Sequence, residues 1–461
     1  MVELNFNAGD RVRFRLAKEE IDGLVLESSD DAVVLIKLES GYNIGIKREN
    51  ILGYRILKKY REEINNGKTE YLGKSKEEDN VGNENRTNIN DNAGQEGIGD
   101  NNVNNRAKKK GLKSIGLVIT GGTIASKLDS KTGGVKWLTN VNEFMKFYPE
   151  LGEIVNVKKI DVPFMTASES MTSEHWKKIS ESVKEMLDDG EIEGVIVTHG
   201  TDFLGYTSAA LSFFLRNLNK PVVLTYSQIS IDRASSDARL NLKCAVYMAI
   251  SNCAEVMVVG HANMNDDYCF ALNGAKVRKM HTSRRDTFKP INCEPIAKIS
   301  VDGTIDFFRD YNKRDNTKGA KLDNSFCDKV ALVKFYPGQD ASILDFYALK
   351  YKGIIIEGSG LGHLPVSEAG HSWISKLKKC IREGMIVCMT SQCINGRVDG
   401  YVYSNGRELI DAGVIFLEDM LSESAFVKLG WVLGHQGWKG KVREKMLENV
   451  AGELNINLKR E

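Results

Sequence analysis

The chain has 461 residues, 42% of them apolar and 27% charged, which suits two or three globular domains and excludes a fibrous or wholly disordered protein. Its 63 basic and 62 acidic residues leave a formal net charge of +1, so no global field points to nucleic acid, membrane or acidic substrate. No apolar run is long enough to cross a bilayer, and the charged start "MVELNFNAGDRVRFRL" lacks a signal-peptide core; the expectation is a cytoplasmic protein with no membrane partner.

Residues 1–60 carry short runs of β-formers, "DRVRFRL", "GLVLESSDDAVVLIKL", "YNIGI" and "NILGYRIL", separated by turn residues. Strands at this spacing predict a small five-stranded barrel of the SH3-like kind. Residues 61–112 are rich in Asn, Gly, Glu and Lys and nearly lack large apolar side chains. Such a segment cannot bury enough surface to offset its ordering entropy, so it reads as a disordered linker.

Regular patterning resumes at Ile115. "IGLVIT", "GVIVTHG", "PVVLTYS" and "EVMVVG" are continuous apolar, β-branched runs, and helix-like stretches such as "TSEHWKKISESVKEML" lie between them. Buried strands alternating with amphipathic helices predict a parallel sheet covered on both faces, here a domain over 113–310. The polar stretch 301–321 holds the expected boundary. A second α/β domain over 322–461 follows, with "KVALVKFY", "YKGIIIEG" and "GMIVCMTSQC" as strands and "AFVKLGWVLG" as a late helix. The fold class is α/β: a small barrel, a linker and two unequal α/β domains. The eight cysteines include no C-x-x-C pair and the seven histidines no H-E-x-x-H, so no structural metal is expected.

Ligands bind such sheets at the carboxyl ends of strands. Two strands end there in "TGGT" (120–123) and "THGTD" (198–202). The first could cradle a phosphate, make a plain turn or present a nucleophile. A P-loop would need G-x-x-x-x-G-K-[ST] and a dinucleotide fingerprint G-x-G-x-x-G, and neither is present. Thr201, Asp202 and Lys279, the last placed in a loop after an apolar strand, add a hydroxyl, a carboxylate and an amine. That inventory suits covalent catalysis on an amide, in which a weak hydroxyl nucleophile is activated by neighbouring bases.

Together "TGGTIAS", "THGTD" and the lysine segment "VRKMHTSRRDTF" resemble the signatures of the bacterial-type L-asparaginase family over about residues 115–450. The resemblance implies an asparaginase-like pair of α/β domains with parallel sheets. It implies Thr123 as nucleophile, with Thr201, Asp202 and Lys279 as its catalytic partners. Gly122 and Gly200 would approach the substrate by their backbones. The segment "TASESMT" (166–172) would put Ser168 and Glu169 at the α-amino and α-carboxylate end of the substrate.

The added barrel, "GSGLGHLP" and "SQCINGRVDGYVYSNGRELIDAGVIFLEDM" resemble a narrower branch, the D subunits of archaeal glutamyl-tRNA(Gln) amidotransferases. That resemblance implies hydrolysis of glutamine or asparagine through a Thr acyl-enzyme. The ammonia would go to a tRNA-binding E-type partner subunit, which converts Glu-tRNA(Gln) to Gln-tRNA(Gln). No cofactor is expected in this chain; ATP and Mg²⁺ would serve the partner. It also implies a dimer of this chain within a heterotetramer. A stand-alone cytosolic L-asparaginase is the alternative.

Overall fold

The computed structural model describes residues 4–26, 28, 32–39, 43–59, 111–128, 135–137, 148–231, 233, 235–367 and 372–456. The segment read as a linker, 61–112, lies outside these residues except for its last two.

The N-terminal unit is one antiparallel sheet of five strands, Arg11–Arg15 (β1), Glu20–Leu26 (β2), Val33–Lys37 (β3), Asn43–Lys47 (β4) and Gly53–Lys58 (β5), in the order β4-β3-β2-β1-β5. Alternation sets its inner face: Val12 and Phe14 on β1 meet Val25, Val34, Ile36 and Ile46 in a small core. Phe6 closes this core edge-on against Phe14, with ring centroids 5.3 Å apart.

The second unit carries both α/β domains. Its first sheet uses Ser114–Ile119 (β6), Asn156–Asp161 (β7), Ile192–Thr198 (β8), Val222–Thr225 (β9), Val256–His261 (β10) and Tyr268–Asn273 (β11). A separate hairpin follows, Val277–Lys279 (β12) with Phe288–Pro290 (β13), and then Ala297–Ser300 (β14) and Ile305–Phe307 (β15) return to the large sheet. The sheet order is β15-β14-β11-β10-β9-β8-β6-β7.

Strands β7, β6, β8, β9 and β10 are parallel, as their unbroken apolar sequences predict. The sheet as a whole is mixed, because the pairs β10–β11, β11–β14 and β14–β15 are antiparallel. The short connection from β10 to β11 explains the change. A parallel neighbour needs a crossover of a dozen or more residues, and a turn this tight permits only a hairpin. Strand β15 also shows that 301–321 begins inside the first domain.

Alternate residues of β6 serve two cores. Ile115, Leu117 and Ile119 face the helix Ala238–Ala249, while Val118 faces the helices Ser173–Asp188 (α1) and Leu204–Phe214 (α2). The second domain is a four-stranded parallel sheet of Val330–Lys334, Gly353–Gly358, Ile386–Ser391 and Ile415–Phe416. Its helix Ser422–Gly434 (α3) packs on α2, with Phe213 stacked on Trp431 at 5.8 Å and 20°. Helix α2 is therefore apolar nearly all round, being buried between two domains. Among the described residues no helix is long and apolar enough to cross a membrane.

Candidate active site

Because β6 and β8 are adjacent and parallel, their carboxyl ends deliver "TGGT" and "THGTD" to the same edge of the sheet. The strand ends are tied there by the Thr120 hydroxyl, which donates to the Thr198 carbonyl at 2.8 Å. The two glycines are needed for different close approaches. Gly121 has φ +114°, and a Cβ on it would lie 2.5 Å from the Thr166 carbonyl oxygen. Gly122 has φ +82°, and a Cβ there would lie 2.5 Å from the Gly200 nitrogen. Both angles suit glycine and strain other residues. The glycines thus let the first loop lie directly against the second.

Thr123 then opens a single 3₁₀ turn, Thr123–Ala125. Its carbonyl accepts the Ser126 hydroxyl at 2.8 Å. Its own hydroxyl is half-buried and has no hydrogen-bond partner among the described residues. It is not engaged in capping the turn it begins.

The second loop is held from beneath by His199, which is fully buried. His199 Nδ1 lies 2.7 Å from the Gly200 carbonyl, which can only accept, so Nδ1 carries the proton. Nε2 then accepts from the Thr207 hydroxyl at 2.9 Å. Burial lowers the His199 pKa to about 4, so the ring is neutral at physiological pH and keeps this tautomer.

Beyond Gly200, Thr201 is half-buried and Asp202 exposed at the lip. Lys279 Nζ reaches both, donating to Thr201 Oγ1 and Asp202 Oδ1 at 2.8 Å each. The lysine side chain is 14% exposed and the aspartate 60%, so the amine is shielded while its counter-ion meets solvent. Lys279 sits at the end of β12, a hairpin strand, rather than in the loop that sequence reading assigned to it.

Ser168 completes the cluster. It is buried against Gly200, where a Cβ would come within 3.0 Å of the serine Oγ. Glu169 follows it in a 3₁₀ turn, Ser168–Ser170, and is exposed. Both residues edge a cavity of about 360 Å³ whose other walls include Trp176, Phe203, Tyr206 and Phe426.

Backbone approach thus joins Gly122, Gly200 and Ser168, and side-chain bonds join Thr201, Asp202 and Lys279. Thr123 follows Gly122 directly, and no hydrogen bond links its hydroxyl to Thr201 or Lys279. Sequence reasoning gave His199 no role. A histidine just after a buried, mostly apolar strand, with a threonine eight residues on along a helix, was the available signal.

Family models for "Asparaginase, N-terminal" and "Glutaminase/Asparaginase C-terminal domain" match residues 114–313 and 329–446, and "GatD N-terminal domain" matches residues 6–57. The D subunit of the glutamyl-tRNA(Gln) amidotransferase of Thermococcus kodakarensis is 45% identical over 97% of this chain and 94% of its own. Its counterpart in Pyrococcus abyssi is 46% identical over 98% and 96%. Among solved structures, the L-asparaginase of Thermococcus kodakarensis superposes with a TM-score of 0.66 at 30% identity, covering 75% of this chain and all of that one. L-asparaginase I of Vibrio cholerae gives 0.64 at 26% identity, with the same coverage.

Proposed function

We propose a mechanism from a settled premise: the chain belongs to the family of glutamyl-tRNA(Gln) amidotransferase D subunits. Within it, this chain is the asparaginase-like, ammonia-generating subunit of a tRNA-dependent amidotransferase. A stand-alone asparaginase accounts for the two α/β domains alone, whereas the amidotransferase relatives match the barrel as well.

In the proposed reaction the Thr123 hydroxyl oxygen attacks the side-chain carboxamide carbon of glutamine or asparagine. Lys279, oriented by Asp202, takes a proton through the Thr201 hydroxyl as the new C–O bond forms. Backbone N–H groups of Thr123 and Thr201, on the two touching loops, meet the developing oxyanion, each such donor contributing ~3 kcal/mol. The C–N bond then breaks as the nitrogen takes up a proton and leaves as ammonia. Water cleaves the Thr123 ester by the same relay, releasing glutamate or aspartate and restoring the hydroxyl. Ser168 and Glu169 hold the α-amino and α-carboxylate end. The observation that carries this reading is the placement of Lys279 Nζ at 2.8 Å from both Thr201 Oγ1 and Asp202 Oδ1.

The ammonia passes to an E-type partner subunit that binds Glu-tRNA(Gln) and uses ATP and Mg²⁺. The net charge of +1 suits a chain that leaves the nucleic acid to that partner. A dimer of this chain inside a heterotetramer and a cytoplasmic location complete the proposal, and eight free thiols suit a reducing compartment.

The test is ammonia release from glutamine and from asparagine, by the chain alone and with its partner, ATP and Glu-tRNA(Gln). Stimulation by the full system, lost in Thr123→Ala, supports the proposal. Full-speed asparagine hydrolysis by the chain alone, unaffected by partner and tRNA, overturns it.

A further inference from the structure

Of the backbone segments that carry the proposed catalytic groups, the one bearing Lys279 is the least supported by its own pairing. Strands β12 and β13 pair with each other and with neither large sheet. A two-stranded hairpin of three residues a side is marginal in water, so Lys279 is placed only as well as its hairpin is held.

The hairpin has two roots, Lys276 just before β12 and Asn292 just after β13, joined by the Ile291 amide donating to the Lys276 carbonyl at 2.9 Å. Both roots are held by one residue of the second domain. Lys276 Nζ donates to Asp419 Oδ2 at 2.5 Å, with the two side chains 1% and 0% exposed. Asn292 Nδ2 donates to the Asp419 carbonyl at 3.3 Å and to the Gly396 carbonyl at 3.0 Å.

The C-terminal segment completes the arrangement. Asn455 donates its backbone N–H to Asp419 Oδ1 at 2.9 Å. Its side-chain Nδ2 bridges Asp419 Oδ2 at 2.7 Å and the Asn292 carbonyl at 2.6 Å. Helix α3 adds two lighter ties, Glu423 to Arg278 at 3.3 Å and the Ser424 hydroxyl to the Ala275 carbonyl at 2.6 Å.

Two further observations set this junction apart. Among the described residues only three non-glycines have positive φ, and two of them are Asn292 (+56°) and Glu418 (+57°). Strained backbone of this kind persists where surrounding contacts over-determine it and is concentrated at functional sites. In addition, a buried ion pair is a poor source of net stability compared with an apolar pair of the same shape. Lys428 and Glu453 form another fully buried pair, but it is Lys276 and Asp419 that stand at the root of the Lys279 hairpin.

We propose that Asp419 is a positioning residue, through which the second domain sets the Lys279 amine against Thr201. This rests on the reading of Lys279 as the catalytic amine. The substrate clamp, Ser168 and Glu169, lies on a different segment, so disturbing the junction lowers kcat and spares KM.

The experiment measures glutamine-dependent ammonia release by the full chain assembled with its partner, alongside denaturant unfolding. Asp419→Asn is expected to lower kcat at least ~10-fold with KM within about twofold. The double variant Lys276→Met/Asp419→Asn removes both charges while keeping an amide oxygen for the Asn455 N–H, so its unfolding midpoint recovers toward wild type relative to Asp419→Asn alone while kcat stays low. A kcat that recovers together with stability means a merely structural pair and overturns the inference. If the double variant does not fold, a folded Asp419→Asn protein with wild-type kcat overturns it instead. Lys279→Met separates the two levels. A fully active Lys279→Met protein rejects the active-site reading itself, whereas an inactive one beside an active Asp419→Asn protein rejects only the role of Asp419.

Discussion

Gly122→Ala tests whether the meeting of the two loops is what makes the site. Gly122 lies at φ +82°, ψ 173°, a region essentially reserved for glycine, and holding another residue there costs ~1–3 kcal/mol. The new Cβ would also sit 2.5 Å from the Gly200 nitrogen and 2.6 Å from its Cα, against about 3.5–4.0 Å for an ordinary carbon contact. Both are backbone atoms that no rotamer change can move aside, so the loops must part by ~1 Å. A displacement of that size between catalytic groups costs about 100-fold in rate. The expected result is a kcat for ammonia release from glutamine down ~100-fold, with unfolding free energy lower by ~1–3 kcal/mol. Gly152→Ala is the control, since nothing lies within 4 Å of a Cβ there. Retention of kcat within about threefold by a Gly122→Ala protein that unfolds at the wild-type midpoint would refute the reasoning.

Thr123→Ala should abolish ammonia release, and Lys279→Met should lower kcat by ~10²–10⁴-fold, the range for loss of a general base, in a steady-state ammonia assay. Asp202→Asn should cost less than Lys279→Met, because the aspartate is 60% exposed and its pair is screened by water. His199 makes stability depend on pH. Its folded pKa of about 4 lies below the unfolded value of about 6.5, so the unfolded chain binds the extra proton between them. The His199 contribution, about 3 kcal/mol, is therefore complete above about pH 6.5 and lost as pH falls toward 4. Urea midpoints measured across that window should decline, and His199→Gln should flatten that part of the decline. Phe213→Ala should cost ~3–5 kcal/mol in denaturant unfolding, because the ring is fully buried and stacked on Trp431 across the domain seam.

Much of this molecule is legible locally, and the reason is physical. An apolar β-branched run between turn residues specifies a buried strand wherever it occurs, so β6, β8, β9 and β10 could be read off the chain. "TGGT" and "THGTD" are legible because their demands concern their own backbone: positive φ, a tight exit from a strand, a hydroxyl at its end. Strand β11 was not read from the sequence, and its antiparallel sense depends on how soon the chain returns, not on which residues β11 contains. Lys279 was found as a residue and misplaced as structure, since a hairpin of three-residue strands has too short a pattern to show alternation. The segment read as a linker lies outside the described residues.

What no local pattern reveals is why a proposed catalytic set lying wholly in the first domain should need the second. Thr123, Thr201 and Asp202 sit on loops anchored directly by sheet strands, β6 and β8, and their placement follows from the strand register. Lys279 has no such anchor, because its hairpin pairs with nothing else. The hairpin packs on the first domain through Val277 and Phe288, the latter with its ring 4.6 Å from that of Tyr226, and its roots are tied to the second, where Lys276 meets Asp419 across 143 residues of chain. A charge pair that distant leaves no periodicity in the sequence, and each partner alone resembles any surface lysine or aspartate. The second domain therefore does more than bury α2. On the proposed reading it ties down the roots of the hairpin that carries Lys279, so the site would depend on both domains though its proposed reactive groups come from one.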